Sequence, residues 1–292
     1  MCHCSDPGQT RRASALAASF DGNHPDRVVR RIEDMTFDSA TYQRLSAKLE
    51  IADIDFDSFR SRPLDAEALR CLRYMHDVES HTVCYLRDVL VTRAHRDPDI
   101  TSFLTMWNYE EFWHGDAIGR VLTAHDEAAG PSRIGALRQR LPKSDRWRPV
   151  GFQIASALTP HLTAVHMTWG AVNEWTTQAA YARLNKLADH PTLSLLLRRI
   201  MKQEGRHIDF YASQASGRLA TSRAAQRVTR WALHRFWSPV GTGVVPEVEV
   251  DFLRNYLFGD PEGFTMAERI DRRVDRLPGL DGLHLLADAV AA

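Results

Sequence analysis

Two short motifs, Glu111-Phe112-Trp113-His114 and Glu204-Gly205-Arg206-His207, constrain this chain more than any other feature. In each, a glutamate and a histidine stand three residues apart. On an α-helix such residues lie about 60° apart around the axis and about 4.5 Å along it, so both side chains reach one point. Each motif also follows a segment with one glutamate set in an apolar pattern. Glu79, between Met75 and Val83, precedes the first; Glu174, between Trp169 and Trp175, precedes the second. One motif alone is weak, because 13 of the 292 residues are histidine and stray matches are expected. The repeated set is the signal.

Helix periodicity dominates from about residue 26 to 240, and strand alternation is scarce. Asp65, after Pro63, opens a predicted helix to about Ala94, with Leu72, Met75, Glu79, Leu86 and Leu90 on one stripe. Arg96-Asp97-Pro98 breaks it, and Asp99 is the expected N-cap of a second helix over about 100–127. Residues 129–149, with Gly130-Pro131 and Leu141-Pro142, read as a long connection. A third helix over about 150–188, with a kink expected at Pro160, turns at Asp189-His190-Pro191 into a fourth over about 192–216, ending near Gly217. A further helix is expected over about 220–236. Short, long and short connections imply two antiparallel helix pairs joined by one crossover, the connectivity of ferritin-like bundles. The expected architecture is therefore all-α: a polar tail over 1–25, a ferritin-like four-helix bundle with flanking helices over 26–240, and a helical appendage over 241–292.

That bundle would gather Glu79, Glu111, His114, Glu174, Glu204 and His207 at its centre, the ligand array of di-iron carboxylate proteins. Four buried carboxylates without partners are prohibitively costly. Two divalent ions offset them, and two neutral imidazoles complete the shells. Carboxylate with imidazole suits iron or manganese better than soft metals. The bland alternative, solvated glutamates and two core histidines, fits poorly with the apolar neighbours of Glu79 and Glu174. Glu110 points about 100° away from Glu111 and is read either as a salt-bridging residue or as a group behind the ligands, the latter slightly favoured. His76, His81, His161 and His166 are expected to be packed or hydrogen-bonded rather than metal-bound.

Lysine plus arginine equals aspartate plus glutamate, 37 each, so nothing global points to nucleic acid or an anionic surface. With 44% hydrophobic and 25% charged residues the chain has the composition of a globular protein. Four cysteines are too scattered for a secreted disulfide framework, and Cys71 and Cys84 read as small apolar side chains in a reducing cytoplasm. Cys2-His3-Cys4 reads as a frayed end, and Arg11-Arg12 lacks the apolar stretch of a signal sequence. No run approaches the roughly 20 apolar residues of a membrane span.

The segment Trp107-Asn108-Tyr109-Glu110-Glu111-Phe112-Trp113-His114-Gly115-Asp116 resembles the soluble acyl-acyl-carrier-protein desaturases, which carry the same tryptophan, paired glutamates and His-Gly-Asp. Glu204-Gly205-Arg206-His207 keeps that family's arginine, and Thr177, one turn after Glu174, stands where the family has a threonine beside its oxygen-binding face. The likeness covers roughly 64–216. It implies two irons cycling between Fe2+ and Fe3+, dioxygen as co-substrate, a ferredoxin-type electron donor, an acyl carrier protein as partner, a homodimer, and a cis double bond as product. It makes Thr177 a catalytic residue and places Trp107 and Gln203 behind the ligands. Gln203 replaces the family's aspartate, and no tryptophan precedes Trp107 to carry electrons. For Thr177 a hydroxyl bond to the Asn173 carbonyl is an equally weighted structural role. Met106, Phe112, Met167 and Trp175 are candidates for an acyl channel, though residues at helical spacing are more often core.

Other di-iron chemistries share the ligand set. An N-oxygenase is expected to carry a third histidine where this chain has Ile200, and a rubrerythrin-like protein a rubredoxin-type set of cysteines that is missing here. A hydroxylase, a ferritin-like iron store and a non-catalytic scaffold complete the alternatives. Arg223, Arg227 and Arg230 form one stripe on the helix over 220–236, either a solvated face or a docking face for an acidic carrier.

Overall fold

A computed structural model of the protein describes residues 37–292. The tail expected over 1–25, with Cys2-His3-Cys4 and Arg11-Arg12, lies outside the described residues. The structure is all-helical, with a single isolated bridge between Thr242 and Val245 among the described residues. In chain order the helices are α1 (Ser39–Leu45), α2 (Ser58–Ser61), α3 (Ala66–Glu79), α4 (Thr82–Leu90), α5 (Pro98–Ala124), α6 (Gly130–Arg140) and α7 (Arg148–Leu158). There follow α8 (Leu162–Ala188), α9 (Pro191–Ala220), α10 (Arg223–Phe236), α11 (Glu247–Phe258), α12 (Pro261–Val274) and α13 (Leu285–Ala291).

Four of these make the frame. α3 packs on α5, α5 on α9, α9 on α8, and α8 on α3, closing a ring. Side-chain caps fix several starts: the Asp65 carboxylate accepts from the Ala68 amide at 2.7 Å, and Ser222 Oγ from the Ala225 amide at 3.1 Å. The interior is two apolar clusters. One holds Phe103, Leu104 and Trp107 of α5, Met167 and Trp175 of α8, and Phe210 and Tyr211 of α9. The other holds Ala117 and Ile118 of α5, Tyr181 and Leu184 of α8, and Leu193 and Ile200 of α9. Between them, along α5 and α9, fall the Glu-x-x-His motifs. The polar residues occupy the level where one apolar cluster gives way to the other.

Several expected boundaries are corrected. The helix predicted over 65–94 is two helices, separated at Ser80-His81 directly after Glu79. No glycine or proline marks this break; the Thr82 hydroxyl takes the Glu79 carbonyl at 2.8 Å, and α4 departs carrying Val83 to the surface. The cap of α5 is Asp97, whose carboxylate accepts from Asp99 and Ile100 amides, rather than Asp99. The long connection contains α6 and a short 3-10 turn, Lys143–Trp147, because Pro131 sits in the first turn of a helix, where proline is tolerated. At Thr159-Pro160-His161 the expected kink is a complete break between α7 and α8. α9 runs through Gly217 to Ala220, held by the fully buried Leu219.

Beyond residue 240, α11 packs on α3 and α8, and α12 on α8. The fully buried Arg183 of α8 secures them. Its Nε donates to the Leu257 carbonyl at 2.9 Å, and its other nitrogens reach Asp260 and, at 3.0 Å, Glu262.

Candidate metal centre

All six predicted ligand residues are buried and converge. They form two overlapping groups, Glu79, Glu111, His114 and Glu204, and Glu111, Glu174, Glu204 and His207. Within each group one donor atom per residue lies within 4.8 Å of every other. Glu111 and Glu204 belong to both. Each remaining pair, Glu79 with His114 and Glu174 with His207, belongs to one.

Each histidine presents Nδ1 inward. His114 Nδ1 lies 3.3 Å from Glu204 Oε1, and His207 Nδ1 lies 3.1 Å from Glu111 Oε1 and 3.0 Å from Glu204 Oε2. Their outer nitrogens are held from behind. His114 Nε2 sits 2.8 Å from Gln203 Oε1, and His207 Nε2 sits 2.8 Å from Glu110 Oε2. Gln203 can only accept from His114 with its carbonyl, because its Nε2 donates to the Ala47 carbonyl at 2.9 Å. Glu110 is held in turn by Arg206 at 2.7 Å and by the Tyr42 hydroxyl at 3.0 Å. Trp107 Nε1 donates to Glu174 Oε1 at 2.9 Å, and the Tyr181 hydroxyl donates to Glu79 Oε1. Supports of this kind fix ligand orientation and tune ligand basicity.

Tyr42 and Tyr181 were not singled out in the sequence. Tyr181 had a signal, since it stands seven residues after Glu174 and so on the same face of α8. Tyr42 had none; it arrives on α1 from far along the chain. His76 accepts from the Gly130 amide at 3.1 Å and its Nδ1 faces Asp77, while buried His81 and His166 are pushed down to about 4 by desolvation. None of these three belongs to either group of donors.

The electrostatics fit a dinuclear cation site. Desolvation, reinforced by Glu111 and Glu204, raises the Glu79 carboxyl well above the usual carboxylate range; desolvation with Glu204 and Glu111 does the same to Glu174. Burial also opposes charge on Glu111, but hydrogen bonds from Glu79, His114 and His207 overcome it and hold Glu111 low. Glu204 is likewise lowered, by His114 and His207, against burial and the charge of Glu111. Burial alone would lower both histidines. Glu111 and Glu204 instead hold His114 up to about 9, and Glu110, Glu111 and Glu204 raise His207. Neutrality without metal thus takes four protons, on Glu79, Glu174, His114 and His207. Two divalent cations carry the same charge.

Hydrogen bonding leaves the matching orphans. Glu111 Oε1, His114 Nδ1 and Glu204 Oε1 are buried without a well-formed hydrogen bond. Other buried atoms, such as both ring nitrogens of His81, also lack a partner, but these three belong to the two groups of donors, where a cation would satisfy them together. Four carboxylates and two imidazoles are the donor set of hard to borderline divalent ions.

Gly115 lies where α3 ends against α5. A Cβ there would lie 2.8 Å from Ser80 Oγ, which a turn of that hydroxyl relieves, and 3.5 Å from Glu79 Cβ, an ordinary contact, so a side chain with branches beyond Cβ would press on the end of α3 that carries Glu79. Gly115→Val is expected to displace Glu79 and lower metal content at the first group by more than half, with helicity by circular dichroism unchanged. Full metal content in that variant would show that this clearance is not required.

Thr177 does not bond the Asn173 carbonyl among the described hydrogen bonds; the neighbouring Thr176 makes the equivalent bond, to Val172, at 2.8 Å. Thr177 lines a mainly apolar cavity of about 70 Å³ with Glu79, Tyr181, Ala180, Leu253 and Val290. Pro239 and Val240, which follow α10, also border it. Of the residues expected to line an acyl channel, Met167 and Trp175 are core, Phe112 is exposed, and none of the four borders this cavity. Arg223, Arg227 and Arg230 are exposed along α10, with Arg230 donating to the Asp281 carbonyl at 2.6 Å.

Comparison with family models, curated proteins and solved structures returns no match to this chain.

Proposed function

We propose that this chain is a ferritin-like non-haem di-iron oxidoreductase that uses dioxygen to introduce a cis double bond into a carrier-bound fatty acyl chain. The observation that carries the reading is the sharing of Glu111 and Glu204 between two buried groups of donors, each completed by one more glutamate and one histidine. Glu111 and Glu204, with one Glu-His pair on either side, would hold two ions as the donor set of di-iron carboxylate bundles does. Bound there, two irons would supply the reduction of dioxygen and the oxidation of an unactivated carbon chain.

The chain's own residues supply the rest. Glu110 and Gln203 keep Nδ1 of His207 and His114 turned to the metal positions. Trp107 and Tyr181 each hold one terminal carboxylate, so that Glu174 and Glu79 keep fixed orientations. The cavity beside Glu79 supports an apolar substrate segment: its wall keeps water from the reacting carbons, and the Thr177 hydroxyl, one turn from Glu174, joins Glu79 and Tyr181 as a group on that wall able to hold or pass a proton. Iron rather than manganese, the ferredoxin-type donor and the homodimer rest on the resemblance of 64–216 to the desaturases. Docking of an acidic carrier on Arg223, Arg227 and Arg230 has further support, because the chain leaving α10 reaches the cavity at Pro239 and Val240.

The test is anaerobic loading with ferrous iron, then oxygen-dependent turnover of carrier-bound acyl chains with a reducing ferredoxin system. Two irons per chain and an unsaturated product are expected. Thr177→Val should keep both irons and lower product per dioxygen consumed several-fold. Iron uptake with no oxygen-dependent change in any acyl substrate would sink the desaturase reading while leaving the metal centre.

A further inference from the structure

α7 is apolar on both faces. Its inner face, Phe152 and Ala155, packs with Leu162, Val165 and Ala232 of α8 and α10, and Ser156 accepts the Arg93 amide at 2.9 Å. The opposite face is bare. Trp147, Val150, Ile154 and Leu158 are 71%, 42%, 56% and 82% exposed, and their spacing puts them on one stripe. Isolated surface hydrophobics are ordinary, but a contiguous stripe of large side chains marks a surface that is covered by something.

In the segment that carries the stripe, residues 128–160, every exposed charge is positive. Arg140, Lys143 and Arg146 are exposed and make no ion pair among the described residues. Between Ala128 and Pro160 the sole acid is Asp145, which is buried and faces Arg87 and Arg148. Arg148 also reaches Asp88 at 3.3 Å. The segment thus offers an exposed apolar stripe, a tryptophan at its start, and three cations without an ion-pair partner among the described residues.

We propose that this face, Trp147, Val150, Ile154 and Leu158 with Arg140, Lys143 and Arg146, docks on an anionic lipid surface. The proposal stands independently of the metal centre. An interfacial helix lies in the plane of a bilayer with its apolar stripe in the acyl boundary and flanking cations against headgroup phosphates, and tryptophan favours that boundary. An exposed helical stripe suits a fluid surface, which needs no complementary groove. A second copy of the chain suits it poorly, because a two-fold interface would bring two patches of the same positive sign together. Among the described residues no helix is long and apolar enough to cross a membrane, so the contact is peripheral.

The experiment is co-sedimentation of the full, metal-loaded chain with vesicles of phosphatidylcholine mixed with phosphatidylglycerol, and with vesicles of phosphatidylcholine alone. Binding to the mixed vesicles is expected to be on the order of 100-fold tighter, and to weaken with salt. The double variant Ile154→Asp with Leu158→Asp should lose it at unchanged metal content, and so should Lys143→Glu with Arg146→Glu, which leaves α7 untouched. Val248→Asp, on another exposed site, should bind as the parent does. Sedimentation of neither vesicle, or equal binding by the parent and both double variants, overturns the proposal. A concentration-dependent dimer dissolved by Ile154→Asp with Leu158→Asp, without vesicle binding, would make this face an interface between copies. Salt-sensitive binding of polyglutamate without vesicle binding would assign it to an acidic protein.

Discussion

Replacing Glu204 with alanine will empty both metal positions, whereas replacing Glu79 will empty one. Glu204 contributes to both groups of donors, while Glu79 contributes to the first alone. Loss of Glu204 also leaves His114 and His207 facing Glu111 with one anion fewer, so the imidazoles are poorly neutralised and each metal position lacks a donor. Metal per chain after anaerobic loading and desalting should fall from two to near zero in Glu204→Ala, with at least a 100-fold loss of affinity expected from removing a bridging ligand at both positions. Glu79→Ala and Glu174→Ala should each keep about one ion. Glu111→Ala should behave as Glu204→Ala. If Glu204→Ala retains two ions, the bridging assignment is wrong. If Glu79→Ala loses both, the two positions fill only together.

Stability of the metal-free chain will fall as pH rises from about 6 to about 9, and metal loading will largely remove that slope. His114 is held at about 9 in the folded chain, and Glu79 and Glu174 are held well above the carboxylate range. Unfolded, such groups titrate near about 6.5 and about 4.3. The folded state therefore binds more protons across this window. Stability from these groups is complete below the unfolded values and is lost as pH rises through the folded ones. Glu111 and Glu204 are depressed, so their contribution is present above about pH 4.3 and is lost as pH falls through their folded values. The metal-free chain should accordingly be most stable in mild acid. For His114 alone the shift from 6.5 to about 9 corresponds to on the order of 3 kcal/mol, or about 5–10 °C in melting temperature for a chain of this size. Divalent ions displace the protons that these raised groups hold, so loading near neutral pH should release protons, measurable by pH-stat titration. A melting temperature level from pH 6 to 9 without metal, or loading with no proton release, would contradict this charge state.

The convergence of the six Glu and His side chains was legible in the sequence because it depends on local geometry. Glu111 with His114, and Glu204 with His207, must share a helix face at a separation of three, and that constraint is printed in the order of residues. Glu79 and Glu174 were legible because a lone carboxylate in an apolar pattern demands compensation. Gln203 and Trp107 could be placed behind the ligands from motif position. Their partners could not be read, since the Ala47 carbonyl that holds Gln203 and the Tyr42 hydroxyl on Glu110 arrive from segments without periodic signal. The role of Gly115 was equally hidden, because it is a clearance between α5 and α3.

The helix ends show the same division. Caps such as Asp65 and Ser222 act within one turn, and their positions follow from residue type. The break after Glu79 has no local cause: Ser80 lies under Gly115 and Thr82 takes up the freed carbonyl, so packing against α5 decides it. Proline misled in the opposite sense, since Pro131 opens α6 where a loop was expected. By itself the sequence determined an all-helical chain, the six donors and their pairing along each helix, because short-range periodicity and the cost of buried charge set them. Only the tertiary structure decided which donors are shared, which nitrogen of each histidine faces inward, and which face of α7 is left bare. Those depend on distances between helices, and no spacing along one chain segment encodes them.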